Sequence, residues 1–309
     1  MPDKVLLHFR DIWSAYRSVT EPRYRADKWY NLRQALRARG TLRFPGGTRL
    51  GFDATNKRAR FQLLKFALAE GFLFNAAEAR GFGWKLDAGA GVMITPQGIS
   101  LWVDSFHELI FLETFVREIH FADFHGRDRL VVDAGGFVGD TALYYAAYGF
   151  RVVTLEPDLE RYRWAERNVA LNPGLAPRIT LVHSALGIDG EVAFATRHAG
   201  GGSIFGQGEV ETVPSMSLRT LLSRYSNASP FLLHLDVKGV EFSLIDSPEI
   251  DRFERVRLEY TATVDGRHLG RPDELVAKLH AKGFVGVRVY KHNAGAYPLA
   301  EHGTIDAAK

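Results

Sequence analysis

Apolar positions change their spacing along this chain, and the changes mark its elements. Leu6, Phe9, Trp13 and Tyr16 recur at intervals of three and four until Glu21-Pro22 interrupts, which predicts a helix. Trp29, Leu32 and Leu36 repeat that stripe up to Gly40, a residue suited to a helix C-cap. From Thr41 the period becomes two. Leu42 and Phe44 alternate up to Pro45-Gly46-Gly47, and Leu50 and Phe52 resume, predicting a hairpin. Residues 57–70 return to helical spacing. Val92 and Ile94, the turn Pro96-Gln97-Gly98, then Ile99, Leu101 and Val103 predict a second hairpin. Ser105-x-x-Glu108 has the spacing of a capping box, opening a helix with Phe106, Leu109, Leu112 and Val116 inward. This mixed α/β preamble ends near Gly126, and no internal repeat is visible.

From residue 129 strands and helices alternate. Strands are predicted at 129–133, 151–156, 179–183, 231–236, 254–260 and 284–290, with a last one near 297–303. Helices at 140–149, 158–171, 239–247 and 272–282 separate most of them. Such alternation is the signature of a doubly wound, largely parallel sheet. The expected division is an N-terminal helical and hairpin extension, 1–125, followed by a domain over 126–309. Gly200-Gly201-Gly202 reads as a loop rather than a phosphate cradle, since no lysine or helix pattern follows it.

The first strand of that domain runs Val131-Val132-Asp133 into Ala134-Gly135-Gly136-Phe137-Val138-Gly139, and a helix opens at Asp140-Thr141. A second apolar run ends in Glu156-Pro157, with Glu156 lying 21 residues after Gly135. This is the βαβ start of a nucleotide-binding sheet, whose strand-2 acid can accept hydrogen bonds from both ribose hydroxyls. The glycine spacing is not that of a dinucleotide site. Phe137 stands where the second glycine of G-x-G-x-x-G belongs, and Asp140 puts a negative charge where a diphosphate would bind. The acids instead suit a ligand carrying an amine and a sulfonium. Asp-x-Gly-x-x-x-Gly with a distant acid resembles motif I of the class I S-adenosylmethionine (SAM) methyltransferases.

Composition narrows the field. The absence of cysteine excludes disulfides, thiolate metal sites and cysteine nucleophiles. No apolar run reaches membrane-spanning length and the N-terminus lacks a signal-peptide pattern, so the chain is expected to be cytoplasmic. Its net charge of +3 conceals an asymmetry: residues 1–60 hold 14 Lys/Arg against 5 Asp/Glu. A basic arm on an acidic body suits an anionic partner such as RNA, or is simply a solvated helix face.

His234-Leu235-Asp236-Val237-Lys238-Gly239-Val240-Glu241 closes the fourth strand, and Glu259 ends the fifth. In an open α/β sheet both ends face the ligand crevice. Asp236, Lys238 and Glu259 are thus the candidate catalytic residues, able to orient a hydroxyl and take its proton. An alternative role for Asp236 is contact with the cofactor's amine. Of the histidines, His183 and His234 read as core residues, while His268 follows Glu259 and could reach the substrate. None sits in a metal-binding cluster, so no metal is assigned, and a hard metal held by Asp236 and Glu259 stays an open alternative.

With these residues the chain resembles the FkbM-type methyltransferases over roughly 110–300. The motifs are Glu108 to His120, Asp133 to Asp140, Glu156-Pro157, Asn168 to Asn172, Ala185-Leu186-Gly187, Asp236 to Glu241, and Glu259. Lys238 departs from the family's D-x-E-G-x-E by exchanging an acid for a base, a change that would favour a more anionic substrate. The resemblance implies a Rossmann-like class I methyltransferase sheet behind an N-terminal α/β extension. It implies O-methylation of a sugar or small-metabolite hydroxyl with SAM as cofactor. It also implies a cofactor site of Asp133, Gly135, Gly136, Phe137, Gly139, Asp140, Thr141, Glu156, Pro157, Ser184, Ala185 and Asp236. Two other readings stay open: an RNA methyltransferase using residues 1–60, and a SAM-binding protein without turnover. No Asn-Pro-Pro-Tyr-type motif points to exocyclic-amine methylation.

Overall fold

The computed structural model describes residues 25–44, 47–69, 84–116, 120, 126, 128–195, 203–205, 209–225, 230–293 and 301–309. The helix expected over residues 6–16, the Pro45-Gly46 turn and Gly200-Gly201-Gly202 lie outside them. The chain divides into two compact units, Met1–Ala122 and Asp123–Lys309.

In the first unit, α1 (Arg25–Ala35) precedes a hairpin of β1 (Gly40–Arg43) and β2 (Arg49–Phe52), paired with Leu42 opposite Leu50. After α2 (Lys57–Ala69) come β3 (Lys85–Asp87), β4 (Val92–Ile94) and β5 (Ser100–Trp102), an antiparallel meander. A single turn, α3 (Glu108–Phe111), continues as a π-helical turn over Leu112–Val116. Leu42, Phe44, Leu50 and Phe52 are all buried, as their alternation requires.

Two expectations fail here. The inner face of α1 is polar: Asn31 and Gln34 are buried, whereas Trp29 and Leu36 are 59% and 69% exposed. The reason is a side-chain bridge to the hairpin. Asn31 Nδ2 donates to the Arg43 carbonyl at 2.7 Å while its Oδ1 accepts from the Arg43 amide at 2.8 Å. The helix stops at Ala35, and Gly40 begins β1 rather than capping α1. The Ser105 capping box does not form either. His107 is the N-cap, and Ser105 Oγ donates to the Trp102 carbonyl at 2.7 Å. The π-helical turn shifts the buried face to Phe111, Thr114 and Phe115, leaving Leu109 and Val116 exposed.

The second unit is built on β6 (Leu130–Ala134), α4 (Asp140–Ala147), β7 (Arg151–Leu155), α5 (Leu159–Ala170) and β8 (Ile179–Val182). A side sheet follows, made of β9 (Ala185–Leu186), β10 (Gly190–Ala195) and β11 (Val210–Met216). Then come α6 (Leu218–Tyr225), β12 (Pro230–Leu235), α7 (Glu241–Leu244) and β13 (Arg255–Thr261). The small hairpin β14 (Thr263–Val264) and β15 (Arg267–His268) leads to α8 (Pro272–Ala281), β16 (Arg288–Asn293) and β17 (His302–Ala308).

Seven strands form one sheet in the order β16-β17-β13-β12-β6-β7-β8, with only β17 antiparallel to its neighbours. Every residue of β6 and β12 is buried, as both faces of a central parallel strand must be. The chain leaves β6 toward β7 on one side and returns through β12 on the other. The switch point, where ligands bind in open α/β sheets, is therefore the gap between the carboxyl ends of β6 and β12.

The expected 239–247 helix is only one turn, because Lys238 and Gly239 have φ of 46° and 106° and cannot be helical. The final strand is displaced from 297–303 to His302–Ala308. Among the described residues, no helix is long and apolar enough to cross a membrane.

Candidate active site

The loop after β6 is held thin from three sides. A Cβ on Gly135, at φ 92°, would run into the Asp236 carbonyl oxygen, and one on Gly136 would strike the Thr154 hydroxyl. A Cβ on Gly139, at φ 81°, would press on Ala165 of α5 at 3.2 Å. The amides of Gly135 and Gly136 both donate to the Leu155 carbonyl at 2.9 Å. Asn168 Nδ2, from the Asn-x-x-x-Asn segment of α5, donates to the Val138 carbonyl at 2.8 Å. The loop is thus clamped between β7, α5 and the end of β12. Gly139 caps α4, whose first two residues, Asp140 and Thr141, are both buried.

Glu156 ends β7 almost fully buried. Its two oxygens accept from the Phe137 amide at 2.8 Å and the Asp158 amide at 2.9 Å. Phe137 itself is left-handed, at φ 47°, which aims its amide at this carboxylate. Burial pushes the Glu156 carboxyl up to about 7, against the pull of Arg161 and the two amides. Each oxygen retains a further lone pair for a hydroxyl donor. The neighbouring Pro157 carbonyl accepts from His183 Nε2 at 2.9 Å, which fixes that ring's tautomer.

Asp133 has a different environment from the one expected of a ligand-binding acid. It is fully buried, Thr154 Oγ1 donates to its Oδ2 at 2.7 Å, and His234 Nδ1 meets its Oδ1 at 2.7 Å. All three residues stand in register on β7, β6 and β12, so their side chains share one face of the sheet.

The candidate catalytic residues lie close together. Lys238 Nζ donates to Asp236 Oδ1 at 2.5 Å and to Glu259 Oε1 at 2.8 Å. The side chains of Asp236, Lys238 and Glu259 keep 27%, 13% and 24% exposure. Burial would lower the Lys238 ammonium, but the two carboxylates outweigh it and hold it above the ordinary lysine value. Burial also pushes the Asp236 carboxyl up, against the pull of Lys238. The lysine expected to offer a free positive charge is therefore already paired. Two carboxylates and one ammonium leave the edge with a net negative charge, so the inference of an anionic substrate does not follow from Lys238.

Glu241, the last acid of the motif, does not face the crevice. It is fully buried, accepting from the Gly239 amide at 2.5 Å and the Thr261 amide at 2.7 Å, and so ties the loop after β12 to the end of β13. Burial pushes its carboxyl up to about 7. Ser203 Oγ donates to the Lys238 carbonyl at 2.9 Å from the opposite side. Of the remaining expected residues, Ser184 is buried with its one hydroxyl hydrogen shared between the Ala185 carbonyl at 2.9 Å and the Pro214 carbonyl at 3.2 Å, and Ala185 belongs to β9. His268 is exposed on β15.

Motif reading passed over the positioning residues Thr154 and Ser203, and it gave no partners to Asn168 and Glu241, which it included, or to His234, which it read as core. Thr154 and His234 had a signal only through strand register, which the sequence does not give. Ser203 had none, since it lies 35 residues before its partner.

Residues 133–285 match the methyltransferase FkbM domain. No curated protein matches the chain. Among solved structures the chain is similar to M. jannaschii TYW2 in complex with AdoMet, at 14% identity and a TM-score of 0.42, over 72% of this chain and 84% of that one. It is also similar to precorrin-6y C5,15-methyltransferase of Geobacter metallireducens GS-15, at 16% identity and a TM-score of 0.36, over 60% and 82% of the two chains.

Proposed function

We propose that this chain, a member of the methyltransferase FkbM family and a SAM-dependent methyltransferase, methylates a hydroxyl of a sugar or small metabolite, with Asp236 taking the proton. SAM fits the residues present. Three glycines keep the loop thin where a ligand must approach the backbone, and Glu156 offers further acceptor sites at the end of β7. Gly135, Gly136, Phe137 and Glu156 would hold the nucleoside, with Pro157, Ser184 and Ala185 on the side where the base would lie. Asp133 is assigned to positioning, since Thr154 and His234 engage both its oxygens. Asp140 and Thr141 are assigned to shaping the start of α4.

When bound, SAM supplies a methyl group made electrophilic by its sulfonium. The rest falls to the protein. A hydroxyl is a poor nucleophile at neutral pH, and a positioned base contributes about 10²–10⁴-fold. The observation that carries this reading is the placement of Asp236. It sits at the switch point against Gly135, part-exposed, with one oxygen engaged by Lys238 and the carboxyl pushed upward by burial. A raised carboxyl is a stronger proton acceptor than an ordinary one, and the oxygen not engaged by Lys238 can take the proton as the oxygen–methyl bond forms. Lys238 and Glu259 fix that carboxylate's orientation.

The test is SAM turnover against a panel of sugars, small hydroxylated metabolites and RNA, with SAM affinity measured beside it. Asp236→Asn is nearly isosteric and is expected to lower turnover by about 10²–10⁴-fold while SAM affinity changes far less. Full turnover in that variant would remove Asp236 as the base.

A further inference from the structure

We propose that the Lys238 ammonium is a resident cation of the catalytic edge, occupying the place between Asp236 and Glu259 that a divalent metal would otherwise take, so that methyl transfer by this protein needs no metal. The inference rests on the reading of Asp236 as the edge that faces the acceptor. Asp236 follows β12, and Glu259 lies within the adjacent parallel strand β13 rather than at its end, each one residue beyond the last β12–β13 pair, Leu235 opposite Leu258. Two carboxylates brought so close repel each other and demand a cation. Hard divalent ions are commonly held by one or two such carboxylates, with waters and substrate oxygens completing the shell. Here the chain supplies the cation itself, at 2.5 and 2.8 Å from the two acids.

The backbone shows that this placement is built rather than incidental. Lys238 is left-handed, at φ 46°, a conformation that a residue with a side chain adopts only when its surroundings impose it. Ser203 Oγ fixes its carbonyl at 2.9 Å, and the Phe205 amide in turn donates to Ser203 Oγ at 3.0 Å. On the other side, Glu241 fixes the Gly239 amide and the Thr261 amide together. A Cβ on Gly239 would strike Leu269 and crowd the Phe205 ring, so the loop is enclosed at that point as well. The backbone that carries Lys238 is thereby fixed at its carbonyl and at the next amide, and a second cation would have to enter beside the ammonium against its charge.

Calorimetric titration of the full-length protein with Mn²⁺ tests this without needing the acceptor. Wild type is expected to bind no Mn²⁺ that Asp236→Asn removes. Lys238→Ala is expected to gain a Mn²⁺ site, and adding Asp236→Asn to it is expected to abolish that site. A wild-type Mn²⁺ site lost in Asp236→Asn, or no gain in a folded Lys238→Ala, would overturn the proposal. SAM affinity serves as the folding control. Acylation of wild type by acetic anhydride, read by mass spectrometry, covers the case in which the variant does not fold. Lys238 is expected to label markedly more slowly than the exposed Lys85, because its ammonium is 13% exposed and hydrogen-bonded to both carboxylates. Equal labelling would overturn the proposal. Failure of the base assignment would show in the turnover of Asp236→Asn and would leave the Mn²⁺ result standing.

Discussion

Glu156 is the residue at which burial and ligand binding oppose each other most directly. Its carboxyl sits near 7 because burial outweighs Arg161 and two amide donors. Ribose hydroxyls would donate to this group, which favours its ionised form. The sign follows: protonation below about 7 removes acceptor strength, so SAM affinity is expected to rise with pH between 5.5 and 7 and then to level off. The rise can be at most about tenfold per unit for one proton. Calorimetry across that window checks it, and Glu156→Gln is expected to flatten the profile. Glu156→Ala, which leaves the hydroxyls poorly paired, is expected to cost about 1–3 kcal/mol of SAM affinity. A pH-independent affinity in wild type would remove Glu156 as the ribose anchor. At this scale the sequence carried residue types well and partners poorly. Asp133, Asp236 and Glu241 look alike in a motif. Yet Asp133 faces Thr154 and His234, Asp236 pairs with Lys238 and stays part-exposed, and Glu241 faces two backbone amides. Only strand register and the turn at Lys238 separate them.

Among the elements, the glycine loop and the end of β12 work as one piece. Gly135 lies directly against the Asp236 carbonyl, and the Asp236 amide donates back to the Ala134 carbonyl at 2.8 Å. Gly135→Ala must therefore displace either the cofactor loop or the residue proposed as base, and it also places a side chain at φ 92°. The left-handed penalty alone is about 1–2 kcal/mol. The variant is expected to lose both melting temperature and SAM binding, and a variant matching wild type in both would separate the loop from β12. Elements with strong periodicity were legible: β6, β7, β12, β13, α5 and α8 fall within a few residues of their predicted bounds. The side sheet was not. β11 reads Val-Glu-Thr-Val-Pro-Ser-Met, with its first three residues exposed and a proline inside, and its partner β9 is two residues long. Such strands are specified by pairing rather than by an apolar pattern. The single turn of α7 was overestimated for a related reason, since glycine permits a positive φ at 239 but nothing in the composition announces one at Lys238 before it.

At the scale of the whole chain, the basic N-terminal region has two explanations that make opposite predictions. In the first unit α1 is integrated by polar contacts rather than by its aromatics. Asn31 bridges to Arg43, the Arg43 guanidinium lies 3.9 Å over the Tyr30 ring, and Lys57 Nζ caps the helix at the Ala35 and Arg37 carbonyls, at 2.6 and 3.0 Å. These contacts use two of the region's cations, Arg43 and Lys57, to hold the unit together, while Arg33, Arg37 and Arg39 stay exposed. Removing residues 1–39 strips α1 from the hairpin and takes away the hydrogen bonds that Asn31 makes to the Arg43 backbone and that the Lys57 ammonium donates to the Ala35 and Arg37 carbonyls. Any group left unpaired costs about 1–3 kcal/mol where it stays buried. The truncated protein is expected to melt several degrees lower, while RNA binding by the full-length protein stays weak and without a steep salt slope. An RNA-binding surface behaves otherwise: affinity falls by orders of magnitude as salt rises, because each phosphate contact releases counterions. Filter binding between 50 and 200 mM salt, beside a thermal melt of each form, decides between them. Strong, salt-sensitive RNA binding that disappears on truncation would make the exposed arginines a substrate surface and move the acceptor from a small hydroxylated molecule to RNA.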